Sequence, residues 1–163
     1  MRIFALTTRG IEDVSAAEMG RLTGIELREI AYRRLAASYS GDPADLLTLR
    51  TVDDVYLWLA TWEDIGRHRS TLAFLRTLAA TIDLAPAVRR CVQVRRVGRQ
   101  RFFSVTASFV GRRNYTAPEI KAAISKGIVE AQGWPYTEDD RGADLNIRLF
   151  IERNVPQVGV RLG

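Results

Sequence analysis

The sequence predicts an α+β fold. Three observations carry that prediction: short segments of strict apolar alternation, segments of helical apolar spacing bounded by recognisable caps, and the interleaving of the two along 163 residues. At 47% hydrophobic content the chain can fill one large core or two modest ones. No apolar run approaches the roughly 18 to 20 residues of a membrane span, and Ile3–Leu6 is too short for the core of a secretion signal. A cytoplasmic location without a membrane partner is the expectation. Cys91 is the only cysteine and His68 the only histidine, so neither an intrachain disulfide nor a cysteine-based metal cluster can form.

Residues 1–66 read as βαββαβ. Arg2–Leu6 is a short apolar strand, and Gly10 opens a helix whose Ile11, Val14 and Leu22 recur at helical spacing. Glu18 falls in that arc and is expected to pair with an arginine or a backbone donor. Gly24 ends the helix, and Ile25–Ala31 and Arg34–Tyr39 are strand-like. Asp42 caps a short helix with Pro43 at its first position and Leu46, Leu47 and Leu49 on its apolar side. Val55, Leu57 and Leu59 then alternate with Tyr56 and Trp58, as in a strand packed on both sides. This order is the split βαβ, ferredoxin-like arrangement.

Residues 67–163 read as ααβαββ, after a polar linker over residues 63–69. Ser70 is placed to cap a helix bearing Leu72, Leu75, Leu78 and Ile82, and Pro86 begins a second helix through about Arg96. Phe103, Val105, Ala107 and Phe109 form an alternating strand. Thr116 and Glu119 make a capping box for a helix with Ile120, Ile124, Ile128 and Ala131 on one face, ending at Gly133. Leu145 to Ile151 alternates, and after an Asn154-Val155-Pro156 turn so does Val158 to Leu162.

Charge is distributed unevenly. Between Asp83 and Glu119 there is no acidic residue, while Arg89, Arg90, Arg95, Arg96, Arg99, Arg101, Arg112 and Arg113 supply eight positive charges. The whole chain carries +5, so the remainder, 16 basic against 19 acidic residues, is net negative. Such a segment is either a polyanion-binding surface, whose binding weakens with salt, or a solvated face.

The segment Phe103-Ser104-Val105-Thr106-Ala107-Ser108, the basic turn and helix start Gly111-Arg112-Arg113-Asn114-Tyr115-Thr116-Ala117-Pro118-Glu119-Ile120, and the closing Gln157-Val158-Gly159-Val160-Arg161-Leu162 together resemble a THUMP domain. That RNA-binding module occurs in certain RNA methyltransferases, 4-thiouridine synthases and pseudouridine synthases. Thr7 to Val14 and Leu49 to Tyr56 resemble the ferredoxin-like domain that precedes it in the methyltransferases. The resemblance implies an α+β chain of a ferredoxin-like domain, residues 1–66, followed by an α/β THUMP domain, residues 67–163. It further implies an RNA partner, typically the acceptor end of tRNA, and a separate catalytic domain in cis that uses S-adenosylmethionine, often at guanine N2. That domain is expected beyond Gly163: neither a glycine-rich strand-to-helix turn nor an Asn/Asp-Pro-Pro-Tyr-like tetrapeptide is found in these residues. Gly133-Trp134-Pro135-Tyr136 reads as a loop with packed aromatics. The thiolation branch of the family, and a protein-interaction or small-ligand regulatory module on a ferredoxin-like fold, are the alternatives.

The residues expected to contact RNA centre on the turn after the Phe103 strand. Arg112 and Arg113 suit forked contacts to phosphate, beside the partial positive charge of the Thr116 helix start, and Lys121 lies one turn further on. Such contacts set register without reading sequence. Tyr115 either stacks on a terminal base or packs the turn. Arg99 and Arg101 are expected to flank the same site, and Arg148 and Arg161 either extend it or are solvated. No catalytic set is expected. Arg67-His68-Arg69 lacks a nucleophile or metal partner, Asp53-Asp54 and Glu138-Asp139-Asp140 read as caps or loop residues, Cys91 as a small packing residue, and Trp58, Trp62 and Trp134 as core or domain-interface residues.

Overall fold

A computed structural model describes residues 1–63 and 65–163, so Asp64 in the expected linker lies outside the described residues. In chain order the elements are β1 (Arg2–Leu6), α1 (Glu12–Met19), β2 (Ile25–Ala31), β3 (Arg34–Tyr39), α2 (Pro43–Leu46), β4 (Asp54–Thr61), α3 (Thr71–Ala80), α4 (Ala85–Val94), β5 (Phe103–Phe109), α5 (Ala117–Gln132), β6 (Leu145–Glu152) and β7 (Val155–Arg161). The fold is α+β, with the element order the sequence predicts. Two compact units form: Met1–Trp58 with Ala85–Arg96 and Arg161–Gly163, and Leu59–Leu84 with Val97–Val160. Among the described residues no single helix is long and apolar enough to cross a membrane.

In the first unit the strands run β2-β3-β1-β4, with β1 antiparallel to both neighbours: Phe4 faces Ala36 on one side and Tyr56 on the other. Phe4 stacks on Tyr56 at 5.0 Å and meets Trp58 edge-on at 5.4 Å, while the Arg2 guanidinium sits 4.6 Å from the Trp58 ring centroid. Helix α1 turns a different face inward from the one expected. Val14 is 55% exposed, and Ser15, Ala16 and Met19 are buried. Ser15 fits there because its hydroxyl meets Thr7 Oγ1 at 2.8 Å and donates to Thr51 O, leaving no unpaired polar group inside. Glu18 accepts from the backbone N–H groups of Arg50 and Thr51 and from the Thr51 hydroxyl, the backbone-donor pairing foreseen for it. Asp42 caps α2 through Ala44 N, but Leu47 is 43% exposed because α2 ends at Leu46.

Helix α4 belongs to this first unit. Its Cys91 is fully buried with Sγ 3.6 Å from Arg161 O, and Arg95 donates from Nε to Leu162 O at 3.0 Å. Leu162 N donates to Val55 O and Arg161 pairs with Asp54 at 2.9 Å, so residues 161–163 are held by backbone, charge and thiol contacts together.

The second unit is built on β5, β6 and β7 in the order β7-β6-β5, β5 parallel and β7 antiparallel to β6. Helix α5 makes the crossover that a parallel pair requires. Thr116 and Glu119 close the capping box that starts it, and Gly133, at φ +70°, ends it in the left-handed conformation that glycine adopts without strain. Ser70 does not cap α3: its own backbone is already helical, at φ −58° and ψ −22°, and its side chain makes no cap bond. The first amides of α3 are satisfied locally, Thr71 N by His68 O and Leu72 N by Arg69 O. Helices α3 and α5 approach closely at Gly127, where a Cβ would lie 2.2 Å from Arg76 O.

Candidate nucleic-acid interface

The turn between β5 and α5 is fixed from several directions. Val110 N donates to Ile151 O, and Gly111, at φ +96°, reverses the chain in a conformation that L side chains rarely adopt. Asn114 N then donates to Arg67 O at 2.8 Å. Tyr115 is 3% exposed, its ring edge-on to Phe109, and its hydroxyl donates to Gly66 O while accepting from Arg113 Nη1, each at 2.9 Å. The packing role open to Tyr115 is therefore the one it fills, since a ring with 3% exposure offers no stacking face to a base. The second amino group of Arg113 donates to Asn154 Oδ1 at 3.1 Å, its Nε is buried without a partner, and its guanidinium lies 5.8 Å and 5.9 Å from the Tyr115 and Phe109 ring centroids. Arg113 is thus a positive charge held in place. Its neighbour Arg112 is exposed, and the two share an open cleft with Arg67, Phe109, Gly111 and Asn114.

Arg67 and Asn154 join this site from positions far away in sequence. Arg67 donates from Nε to Asn154 Oδ1 at 3.4 Å, so Asn154 receives two arginines. Arg153 and Asn154 both take positive φ, 52° and 61°, in the tight β6–β7 turn that puts the Asn154 carboxamide there. Asparagine tolerates that conformation better than most residues, which is the local signal for its placement.

The start of α5 contributes less to an anion than its dipole suggests. Pro118 has no N–H, Glu119 N is taken by Thr116 Oγ1 and Thr116 N by Glu119 Oε1. Glu119 also pairs with Arg69, and that contact, followed by the Thr116 amide, holds its carboxyl below the usual carboxylate range. A carboxylate already occupies the positive end of the helix. The positive charge left open at the turn is therefore that of the arginines.

Three expected residues lie elsewhere. Arg99 and Arg101 sit before β5 and the turn follows it, so a strand of seven residues, about 23 Å at 3.3 Å per residue, separates them from Arg112. Arg101, at φ +59°, spends its guanidinium on Val97 O and Gly98 O. Lys121 lines the groove between β5 and α5 and pairs with Glu138 at 2.7 Å; that bond, with burial opposing, raises its pKa. Of the acid-free segment, Arg89, Arg90, Arg95 and Arg96 fall in the first unit and the other four in the second. Burial pushes the Cys91 thiol pKa up, the neighbouring Arg95 charge acting against it. Trp134 and Tyr136 pack on Phe103, whose backbone pairs with Pro135 O and Thr137 N, so this stretch is the aromatic loop expected of it. Among the described residues no group of three or more His, Cys, Asp or Glu side chains is placed to hold a metal ion.

Solved structures share this arrangement of elements. TrmN from Thermus thermophilus superposes with a TM-score of 0.74 at 20% identity, over 99% of this chain and 45% of that one. A possible methylase from Clostridium difficile 630 gives 0.74 at 17% identity over 98% and 40%, and a 4-thiouridine synthetase in complex with RNA and bound ATP gives 0.59 at 12% over 98% and 41%. The fold is the one these proteins hold in common. The chain spans less than half the length of each. No family model matches the sequence, and no curated protein matches it.

Proposed function

We propose that this chain is the RNA-binding region of an RNA-modifying enzyme, with a ferredoxin-like domain over residues 1–66 and a THUMP domain over residues 67–163. On this reading it holds the acceptor end of tRNA for an S-adenosylmethionine-dependent methyltransferase domain in the same protein, in the cytoplasm. The observation that carries the proposal is the β5–α5 turn, where Arg113 is held by Tyr115 and Asn154 beside an exposed Arg112 and Arg67. A fixed guanidinium loses little entropy when it meets a phosphate, and an exposed one at its side adds a second contact. The comparisons lend support through a similar fold solved with RNA and through a possible methylase more than twice the length of this chain. Methylation is preferred to thiolation because the possible methylase superposes at 0.74 and the thiouridine synthetase at 0.59.

Fluorescence anisotropy with labelled tRNA tests the proposal. Affinity should fall with salt by a log-log slope of about 0.7 to 0.9 per phosphate engaged, and Arg112→Glu, a change at an exposed side chain, should weaken binding without altering the melting curve. A flat salt titration would refute electrostatic capture. Calorimetry should find no S-adenosylmethionine binding to this chain, because a methyl donor needs an enclosing crevice that the proposal assigns to the catalytic domain.

A further inference from the structure

The β2–β3 hairpin of the first unit closes on a two-residue turn. Ala31 pairs with Arg34, so Tyr32 and Arg33 make the turn by themselves. Arg33 takes φ +58°, in the left-handed region that glycine and asparagine enter at least cost. An arginine there works against backbone preference, and what it offers in exchange is a charged side chain. The turn is tied down. Arg33 O accepts from Thr7 N at 3.0 Å, and Leu6 pairs with Arg34. That bond sets the hairpin tip against the β1–α1 loop, in which Thr8, Arg9 and Gly10 are all exposed. The Cα of Arg9 is two steps along the chain from that of Thr7, a reach of about 7 Å at most.

Three side chains at this tip are open. Tyr32 is 68% exposed, and Arg9 and Arg33 are exposed beside it. Among the described residues nothing stacks on the Tyr32 ring or hydrogen-bonds its hydroxyl, and no carboxylate pairs with Arg9 or Arg33. The nearby acids are engaged elsewhere: Glu29 pairs with the buried Arg34 at 3.4 Å and Glu12 accepts from Gly10 N at 2.5 Å, leaving Asp13 exposed in the first turn of α1.

We propose that this hairpin tip is a second RNA contact, at which an unpaired base stacks on Tyr32 while Arg9 and Arg33 hold the flanking phosphates. The inference rests on the RNA reading above and adds to it a subsite for a single-stranded stretch. An open tyrosine ring gives a base of any identity a face to stack on, and arginines beside it match the phosphates on either side. Ile30, 50% exposed on β2, suits a protein partner as well as a base. Charge decides between them: two unpaired arginines against one open carboxylate make the tip positive, which a polyanion matches and an apolar protein surface does not.

The probes are labelled tRNA and a short, unstructured oligouridylate, followed by fluorescence anisotropy. Tyr32→Ala should lower oligouridylate affinity about fivefold or more, the loss of one stacked base, and Tyr32→Phe should keep it. Arg33→Gly should reduce the log-log salt slope by about 0.7, one phosphate on a single strand, while melting at or above the parent temperature, because glycine adopts that φ without strain. Unchanged oligouridylate affinity in Tyr32→Ala overturns the inference, as does an equal loss in Tyr32→Phe, which would show that the ring is not the contact. An unmodified chain that binds tRNA but not the oligouridylate also overturns it and leaves RNA capture at the β5–α5 turn standing, whereas one that binds neither overturns the RNA reading itself. Self-association that Tyr32→Ala abolishes without changing RNA affinity would assign the tip to protein contact instead. Photocrosslinking of a 4-thiouridine-substituted oligouridylate to the unmodified chain needs no variant: a crosslink in the tryptic peptide Glu29–Arg33 supports the subsite, and crosslinks confined elsewhere refute it.

Discussion

Gly127→Ala is expected to destabilise the protein although alanine is the better helix former. The added Cβ would lie 2.2 Å from Arg76 O, 2.8 Å from Ala79 Cβ and 3.2 Å from Ala80 N. An ordinary contact needs roughly 3.5 Å, so α3 and α5 must separate by about 1 Å, and two of the three obstacles are backbone atoms that cannot rotate away. Overpacking of this kind costs about 1 to 3 kcal/mol. The intrinsic preference of a helix for alanine over glycine returns about 1 kcal/mol. Because the clash is with backbone, the upper part of the range applies, leaving a net loss of about 1 to 2 kcal/mol. At about 2 to 4 °C per kcal/mol for a chain of this size, the melting temperature should drop by about 2 to 8 °C in thermal unfolding followed by circular dichroism. Ala122→Gly, on the exposed side of the same helix, is the control: propensity alone should lower stability there by about 1 kcal/mol. A Gly127→Ala protein that melts at or above the parent temperature would show that α3 and α5 are not in backbone contact.

Tyr115→Phe removes the hydroxyl that joins Gly66 to Arg113 and should cost about 1 kcal/mol; a several-fold loss of RNA affinity should accompany it, and unchanged affinity would mean that Arg113 does not need that anchor. Burial pushes the Glu18 pKa up, but the hydrogen bonds from Thr51 and the Arg50 and Thr51 amides outweigh it and the net shift is downward. A lowered folded-state pKa contributes stability that is present above the unfolded value of about 4.3 and is lost as pH falls through the folded one. The melting-temperature gap between the parent and Glu18→Gln should therefore be clear at pH 7 and shrink towards pH 3, and a gap independent of pH would contradict it. Cys91, buried with a raised pKa, should react with a thiol reagent only at the rate of unfolding; fast labelling of the native protein would show the α4 contact to be open.

What the sequence revealed and what it hid divides along physical lines. Helix α5 was legible to the residue because its start and stop are local chemistry: a capping box within four residues and a glycine that alone takes the terminal conformation at no cost. The strands β5, β6 and β7 were legible from alternation. The inward face of α1 was not, because the Ser15 and Thr7 hydroxyls satisfy each other inside, and a pattern read from apolar residues cannot foresee a buried polar pair. Arg99 and Arg101 looked like neighbours of Arg112 in a linear count, but the extended strand between them carries them to opposite ends. Arg67 and Asn154 were not placed at the site since their contacts depend on tertiary folding across 87 residues.

The return of residues 161–163 to the first unit bears on the order in which the chain can fold during synthesis. Val55 and Asp54 are translated more than a hundred residues before the partners that close their contacts, and α4, which clasps the same tail through Cys91 and Arg95, emerges in between. The first unit cannot complete itself as it leaves the ribosome. Its β1 to β4 sheet must wait, partly unlatched, while all of the second unit is made. Contacts of such long sequence separation are slow to form and late to be rewarded. The second unit, whose two segments lie between Leu59 and Val160, is placed to fold before residues 161–163 bolt the older half.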